Sequence, residues 1–290
     1  MDDAHSKSLS APTPLDLNRR GFVFMTSCVA GFTMASGPLN AQTITTSADG
    51  LTAGEVKVSS GGVEIPAYRA FPATGGPFPT VLVIQEVFGV HEYIKDVCRR
   101  LAKAGYYAIA PELYARQGNP GAYTDISKLL SEVVAKVPDG QVKGDLDACV
   151  TFAKASGKAD TARLAVIGFC WGGRQVWLYA KNNPSLKAAA AFYGPLSGPK
   201  DDLHPQNPLD FAKDVKVPVI GAYGGKDPGI PVDQVEKMQA ELKAAGSKSE
   251  LHVYADAPHG FHADYRPSYR KADAELAFKR ALDFFKAHGV

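Results

Sequence analysis

The stretch that most constrains this chain is Arg163-Leu164-Ala165-Val166-Ile167, which runs straight into Gly168-Phe169-Cys170-Trp171-Gly172-Gly173. A short apolar run closed by glycine reads as a buried strand. The Gly168–Gly172 segment has the G-x-S-x-G spacing of a nucleophile elbow, with sulfur in place of the serine oxygen. In that motif a strand ends, the chain turns sharply and a helix begins, so the nucleophile stands on the turn. The flanking glycines leave room for backbone and substrate to approach it. A reading without chemistry is also open, namely a small buried cysteine beside a tight strand-helix turn.

The surroundings suit an alternating α/β architecture. Val56 to Val58 and Val63 to Arg69, around Gly61-Gly62, read as an edge hairpin. Thr80 to Ile84, Tyr106 to Ala110, Leu164 to Ile167, Ala188 to Tyr193, Val217 to Tyr223 and Leu251 to Tyr254 read as strands. Between them, apolar residues recur at helical spacing: Ile94, Val97 and Leu101; about Val142 to Ala155; Gly172 to Lys181; Val235, Met238 and Leu242; and Ala274 to Phe285. Alternation of this kind predicts a mostly parallel central sheet with helices on both faces. In such sheets a site forms at the carboxyl ends of the strands.

Apolar residues make up 45% of the chain, enough for one large core, and the formal net charge is +2. Basic residues are scattered, with no aromatic-interleaved stripe, so nothing points to nucleic acid. No uninterrupted apolar run on the order of 18 residues predicts a stable membrane span. Asn18-Arg19-Arg20-Gly21-Phe22-Val23, a mildly apolar stretch and Leu39-Asn40-Ala41 resemble a twin-arginine-type signal over residues 1–41. Residues 42–290 would then be one domain, exported to the periplasm or secreted by the export machinery. The other reading is a disordered tail on a cytoplasmic protein. Beyond that segment stand Cys98, Cys149 and Cys170. An odd count argues against a complete disulfide framework, and no C-x-x-C supports a thiolate zinc site.

Four candidates fall just past strand ends: Glu86, Cys170, Asp227 and His259. The order nucleophile, acid, histidine is that of one hydrolase class and not of chymotrypsin or subtilisin. A free thiol is only slightly ionised at neutral pH, so a histidine in reach would take its proton and later return it to the leaving group. A carboxylate would fix the imidazole tautomer and support the cation. The helix that Cys170 opens would favour a thiolate. The amides of Trp171 and Val87 are the expected oxyanion donors. Asp227 could instead be a turn residue, His259 a loop histidine and Glu86 a solvated rim charge. His252, His259 and His262 lie close in sequence, but no second-ligand spacing supports a metal.

Five segments together resemble the dienelactone hydrolase (carboxymethylenebutenolidase) family of α/β-hydrolases. They are Gln85-Glu86-Val87-Phe88-Gly89, Pro111 to Arg116, Gly168 to Gly173, Gly224-Gly225-Lys226-Asp227 and His259-Gly260-Phe261. The resemblance runs from about Gly54 to the C-terminus. It implies the α/β-hydrolase fold and a Cys170–Asp227–His259 triad. It also implies that Glu86 contacts the resting cysteine until substrate displaces it. Arg116 matches an arginine that binds the substrate carboxylate, and Tyr114 and Tyr193 would line the pocket. The family's second such arginine falls here on Ala263, with Arg266 nearby as a replacement. Trp171 is bulkier than the usual residue.

The expectation is a cofactor-free and metal-free hydrolase that opens a small ester or lactone through a thioester. A broad carboxylesterase or thioesterase is the near alternative. A binding protein on the same fold is the distant one, and it would not require all three triad residues.

Overall fold

The computed structural model describes residues 44–290. The signal segment expected at residues 1–41 lies outside the described residues. Eight strands form one sheet: β1 (Leu51–Ser60), β2 (Val63–Pro72), β3 (Phe78–Ile84), β4 (Tyr107–Pro111), β5 (Ala159–Phe169), β6 (Ala188–Phe192), β7 (Val219–Gly224) and β8 (Glu250–Tyr254). Their order is β1-β2-β4-β3-β5-β6-β7-β8. The hairpin strands β1 and β2 are antiparallel to their neighbours, and every other pairing is parallel. Six α-helices occur among the described residues: α1 (Glu92–Lys103), α2 (Ile126–Glu132), α3 (Asp139–Ala155), α4 (Trp171–Asn182), α5 (Val232–Ala244) and α6 (Lys271–Ala287).

β4, β6 and β7 are buried along their whole length, and β3 is buried from Thr80 onward. A strand with no exposed side chain must be covered on both faces, which is how a parallel sheet sandwiched by helices reads. The alanines Ala188 to Ala191 make β6 a thin central strand between β5 and β7. Thin strands let the flanking helices approach closely.

Boundaries differ from the sequence reading where local chemistry outweighs periodicity. α3 begins at Asp139, three residues before the apolar pattern starts at Val142, because Pro138 holds extended backbone at the cap and Asp139 suits the first turn. β7 begins at Val219 and not Val217, since Pro218 has no N–H for the ladder. The sequence reading leaves α2 inside a loose segment. Asp125 caps it by accepting hydrogen bonds from the Ser127 and Lys128 amides at 2.8 and 3.3 Å. That cap is visible in the sequence, but seven residues are too short for a helical period to show.

The parallel strands bring four loops to one end of the sheet. Glu86 lies two residues past β3, Cys170 directly follows β5, Asp227 lies three past β7 and His259 five past β8. β3 pairs β5, and β5 to β8 are successive neighbours, so loops far apart in sequence converge.

Candidate active site

Cys170 stands between β5 and α4 with φ 54° and ψ −119°, a left-handed backbone that a non-glycine residue rarely adopts. Such strain costs about 1–3 kcal/mol and persists only where its surroundings enforce it. Here the Cys170 N–H donates to the Phe192 carbonyl at 3.0 Å, and the Cys170 carbonyl accepts from the Gly173 and Arg174 amides. Two glycines make this packing possible. A Cβ on Gly172 would sit 2.4 Å from the Gln85 carbonyl oxygen, and one on Gly194 would sit 2.3 Å from the Gly173 carbonyl carbon. Both obstacles are backbone, which cannot swing aside. The start of α4 is thereby wedged between the ends of β3 and β6, and the sulfur is held up on the turn.

The Cys170 Sγ lies 3.2 Å from His259 Nε2, and His259 Nδ1 lies 2.6 Å from Asp227 Oδ2. Asp227 Oδ1 accepts the Gly229 N–H at 2.8 Å, which fixes the carboxylate plane. The Asp227 side chain is 1% exposed. Burial alone would push the His259 imidazole down, but the Asp227 carboxylate and then Cys170 overcome it and raise it to about 10. A carboxylate, an imidazole and a sulfur in this chain can hold and pass one proton, the arrangement that makes a thiol nucleophilic. Among the described residues no hydrogen bond reaches the amide N–H groups of Trp171 or Val87, so both keep free donors beside the sulfur's loop.

Glu86 is fully buried, and its carboxylate is engaged elsewhere than on the cysteine. Oε2 accepts the Tyr265 hydroxyl at 2.5 Å, and Oε1 accepts Arg266 Nη2 at 3.2 Å. Arg266 Nε in turn donates to the Tyr265 oxygen at 3.0 Å. The expected contact between Glu86 and resting Cys170 is therefore corrected. A buried carboxylate takes the partners that satisfy its charge best, and a guanidinium with a phenol outcompetes a thiol.

Arg116 is corrected as well. Its guanidinium grips Asp145 with two bonds at 2.8 and 3.0 Å and donates to the Ser60 carbonyl at 2.8 Å. These groups line a cavity of about 640 Å³ between β1 and α3 that includes none of the four strand-end candidates. The bidentate geometry that suits a substrate carboxylate is already filled by Asp145. Tyr114 is wholly buried beneath the site; its hydroxyl donates to the Glu86 carbonyl at 3.3 Å and its ring meets Trp171 edge-on at 5.0 Å. Tyr193 is equally buried, and its ring packs edge-on against His259 at 5.2 Å. Both tyrosines back the site and neither presents an open face.

Sequence reasoning misses Tyr265, His91 and Glu112. Tyr265 also packs against His91 at 4.9 Å, and His91 Nε2 faces Glu86 Oε2 at 3.9 Å. Burial holds the His91 imidazole down to about 4, so it is neutral near pH 7. Glu112 accepts the Val90 amide and the Gln85 side-chain amide, which shapes the loop bearing Glu86 and Val87. The only sequence signal is adjacency: Tyr265 stands beside Arg266, and Glu112 lies within the Pro111 to Arg116 motif. His252 pairs with Glu250 on β8, and His262 is buried with Nδ1 2.6 Å from the Tyr93 hydroxyl, so the three histidines have separate surroundings.

These histidines give stability a predicted pH profile. Folded His259 keeps its proton up to about 10, whereas the unfolded chain loses it near 6.5. Its contribution is therefore full below 6.5 and lost as pH rises toward 10. Burial lowers His262 to about 3 and His91 to about 4. The unfolded chain takes up those protons below 6.5 while the folded one does not, so stability also falls on acidification. The thermal midpoint should peak near pH 6.5, and His259→Gln should flatten the alkaline limb alone. Scanning calorimetry from about pH 5 to about pH 10 checks both limbs.

The profile described as "Dienelactone hydrolase family" matches residues 65–289. A Methylorubrum extorquens protein, provisionally named a carboxymethylenebutenolidase, is 57% identical over 99% of this chain and 98% of its own length. An Escherichia coli protein of the same provisional name is 51% identical over 90% of this chain and 96% of its own. A Klebsiella pneumoniae crystal structure, provisionally titled a dienelactone hydrolase, superposes with TM-score 0.80 at 51% identity. That match covers 81% of this chain and 98% of the Klebsiella chain.

Proposed function

The chain belongs to the dienelactone hydrolase family, and we propose that Cys170, His259 and Asp227 carry its reaction through a thioester on the sulfur. It is a carboxymethylenebutenolidase-like hydrolase of carboxylic esters on an α/β-hydrolase fold. The observation that supports the covalent route is the continuous chain from Cys170 Sγ through His259 to Asp227, closed on a strained turn.

In this mechanism Cys170 and His259 rest as a thiolate–imidazolium pair, the thiol proton held on His259 Nε2, and the thiolate attacks the acyl carbon of the ester or lactone. The carbonyl oxygen becomes an oxyanion facing the Trp171 and Val87 amides, whose donors are preorganised for it. The tetrahedral adduct collapses, the carbon–oxygen bond of the leaving group breaks, and His259 Nε2–H protonates the departing oxygen. A water molecule then gives a proton to His259 and attacks the thioester carbon. Collapse releases the acid and returns sulfur and imidazole to their starting state. Asp227 stays ionised throughout, orienting the ring and supporting the cation.

The test is rapid acid quench after mixing with para-nitrophenyl acetate, followed by peptide mass spectrometry. An acetyl group should appear on the Cys170 peptide together with a burst of nitrophenolate. Cys98 and Cys149 should stay unlabelled, because both are fully buried and burial pushes their thiols up. Turnover without any adduct on Cys170, or an adduct on another residue, refutes the cysteine route. Binding without turnover would favour a non-catalytic reading.

A further inference from the structure

We infer that this site selects uncharged acyl groups, esters and lactones with no carboxylate near the scissile bond. The inference rests on the cysteine-hydrolase reading above and narrows its substrate class.

The two arginines available for a substrate carboxylate are both committed within the protein. Arg116 is closed onto Asp145 and the Ser60 carbonyl, beside a different cavity. Arg266 is 3% exposed, bonded to Glu86 and Tyr265, with its planar group 5.3 Å from the Phe88 ring centre and 5.2 Å from that of Tyr265. The Nε and Nη2 donors of this guanidinium are thus committed to Tyr265 and Glu86, and two aromatic rings lie against it. To reach it, a substrate carboxylate would have to displace a fully buried carboxylate and leave Glu86 without its cation. Stripping the partner from a buried ion is among the costliest changes a site can undergo.

The local charge count points the same way. With Cys170 as thiolate, the anions are Cys170, Asp227 and Glu86, and the cations are His259 and Arg266, which leaves one negative charge. The adjacent His91 adds no charge near neutral pH. Of the other basic side chains on the surrounding elements, Lys95 is paired with Glu55, Arg100 with Asp96 and Asp264, and Lys226 with Asp256, while Arg270 is exposed and turned onto the Pro267 and Tyr269 carbonyls. The site is otherwise flanked by Phe88, Trp171 and Tyr265, aromatic surfaces suited to an apolar acyl chain.

The experiment compares two esters with one leaving group and four-carbon acyl chains: para-nitrophenyl butyrate and para-nitrophenyl hemisuccinate, the latter ending in a carboxylate. The wild-type enzyme should favour butyrate in kcat/KM by at least roughly tenfold, as expected where like charges meet without a counterion. A smaller ratio, or preference for the hemisuccinate, overturns the inference. Glu86→Gln releases the Arg266 charge and should move the ratio toward the hemisuccinate by roughly tenfold; an unchanged ratio in the folded variant also overturns it. If that variant does not fold, the wild-type ratio decides alone. Arg116→Ala should leave the ratio unchanged, and a selective loss on the hemisuccinate would restore the carboxylate-clamp role and overturn the inference. Acylation of Cys170 by both esters at equal efficiency rejects the charge selectivity while keeping the hydrolase reading. Acylation by neither rejects both.

Discussion

Cys170→Ala is expected to remove ester hydrolysis, by about 10⁴-fold or more if it behaves as nucleophile deletions do in other triad hydrolases. Removing the sulfur takes away the attacking atom and the site of the acyl intermediate together, so no remaining triad member can compensate. The fold should survive. The turn at φ 54° is set by backbone bonds to Phe192, Gly173 and Arg174, and the close approach at Gly172 and Gly194 does not involve the thiol. Alanine bears the same Cβ in the same strained conformation, so the strain is neither relieved nor increased. Cys170→Ser should be weak and not silent, since a hydroxyl is harder to ionise beside the same imidazole. Steady-state rates with circular dichroism on each variant check this. Retention of more than a tenth of wild-type turnover in folded Cys170→Ala would remove the sulfur from the mechanism.

Features encoded locally are the ones a sequence makes readable. The elbow is legible because glycine spacing, an apolar strand and a following helix are all encoded within about ten residues. Asp227 and His259 are legible because each comes after a strand, and parallel strands deliver their loops to one end. The partner of a charged side chain is different. Arg116 carries the right group in a recognisable motif, but its orientation is decided by Asp145 on α3 and by the Ser60 carbonyl at the end of β1. Glu86 is claimed by Tyr265 and Arg266, which lie past His259 at the far end of the sequence. A motif specifies which residue stands at a position. It does not specify which of several distant ions wins a buried carboxylate, because that depends on burial and competition among partners. His91 and Tyr265 escape notice for the same reason: their significance lies in a contact with Glu86 and not in any spacing.

Asp227→Asn should be almost as damaging as loss of the sulfur while leaving the fold in place. The side chains are nearly the same shape, so packing hardly changes. The hydrogen-bond polarity does change. Asp227 Oδ1 accepts the Gly229 N–H at 2.8 Å, and in the variant only the amide oxygen can fill that position. The amide nitrogen is then turned toward His259 Nδ1, where the wild type presents Oδ2 at 2.6 Å. A donor facing Nδ1 forces the ring proton onto Nε2, the atom 3.2 Å from the Cys170 sulfur. A ring in that tautomer cannot take the thiol proton, and the neutral amide gives the imidazolium no support. The expected fall in kcat/KM is about 10³–10⁴, the scale of the same change in serine hydrolases. Iodoacetamide should alkylate Cys170 more slowly at neutral pH, since the attacking species is the thiolate. The alkaline limb of the stability profile should also shrink, because the Asp227 carboxylate is the leading force that raises His259. Kinetics, alkylation and the thermal midpoint at about pH 7 and about pH 9 test the three effects in one variant. Activity within tenfold of wild type, with the alkaline limb intact, would mean that Asp227 is a turn residue and that His259 is oriented by something else.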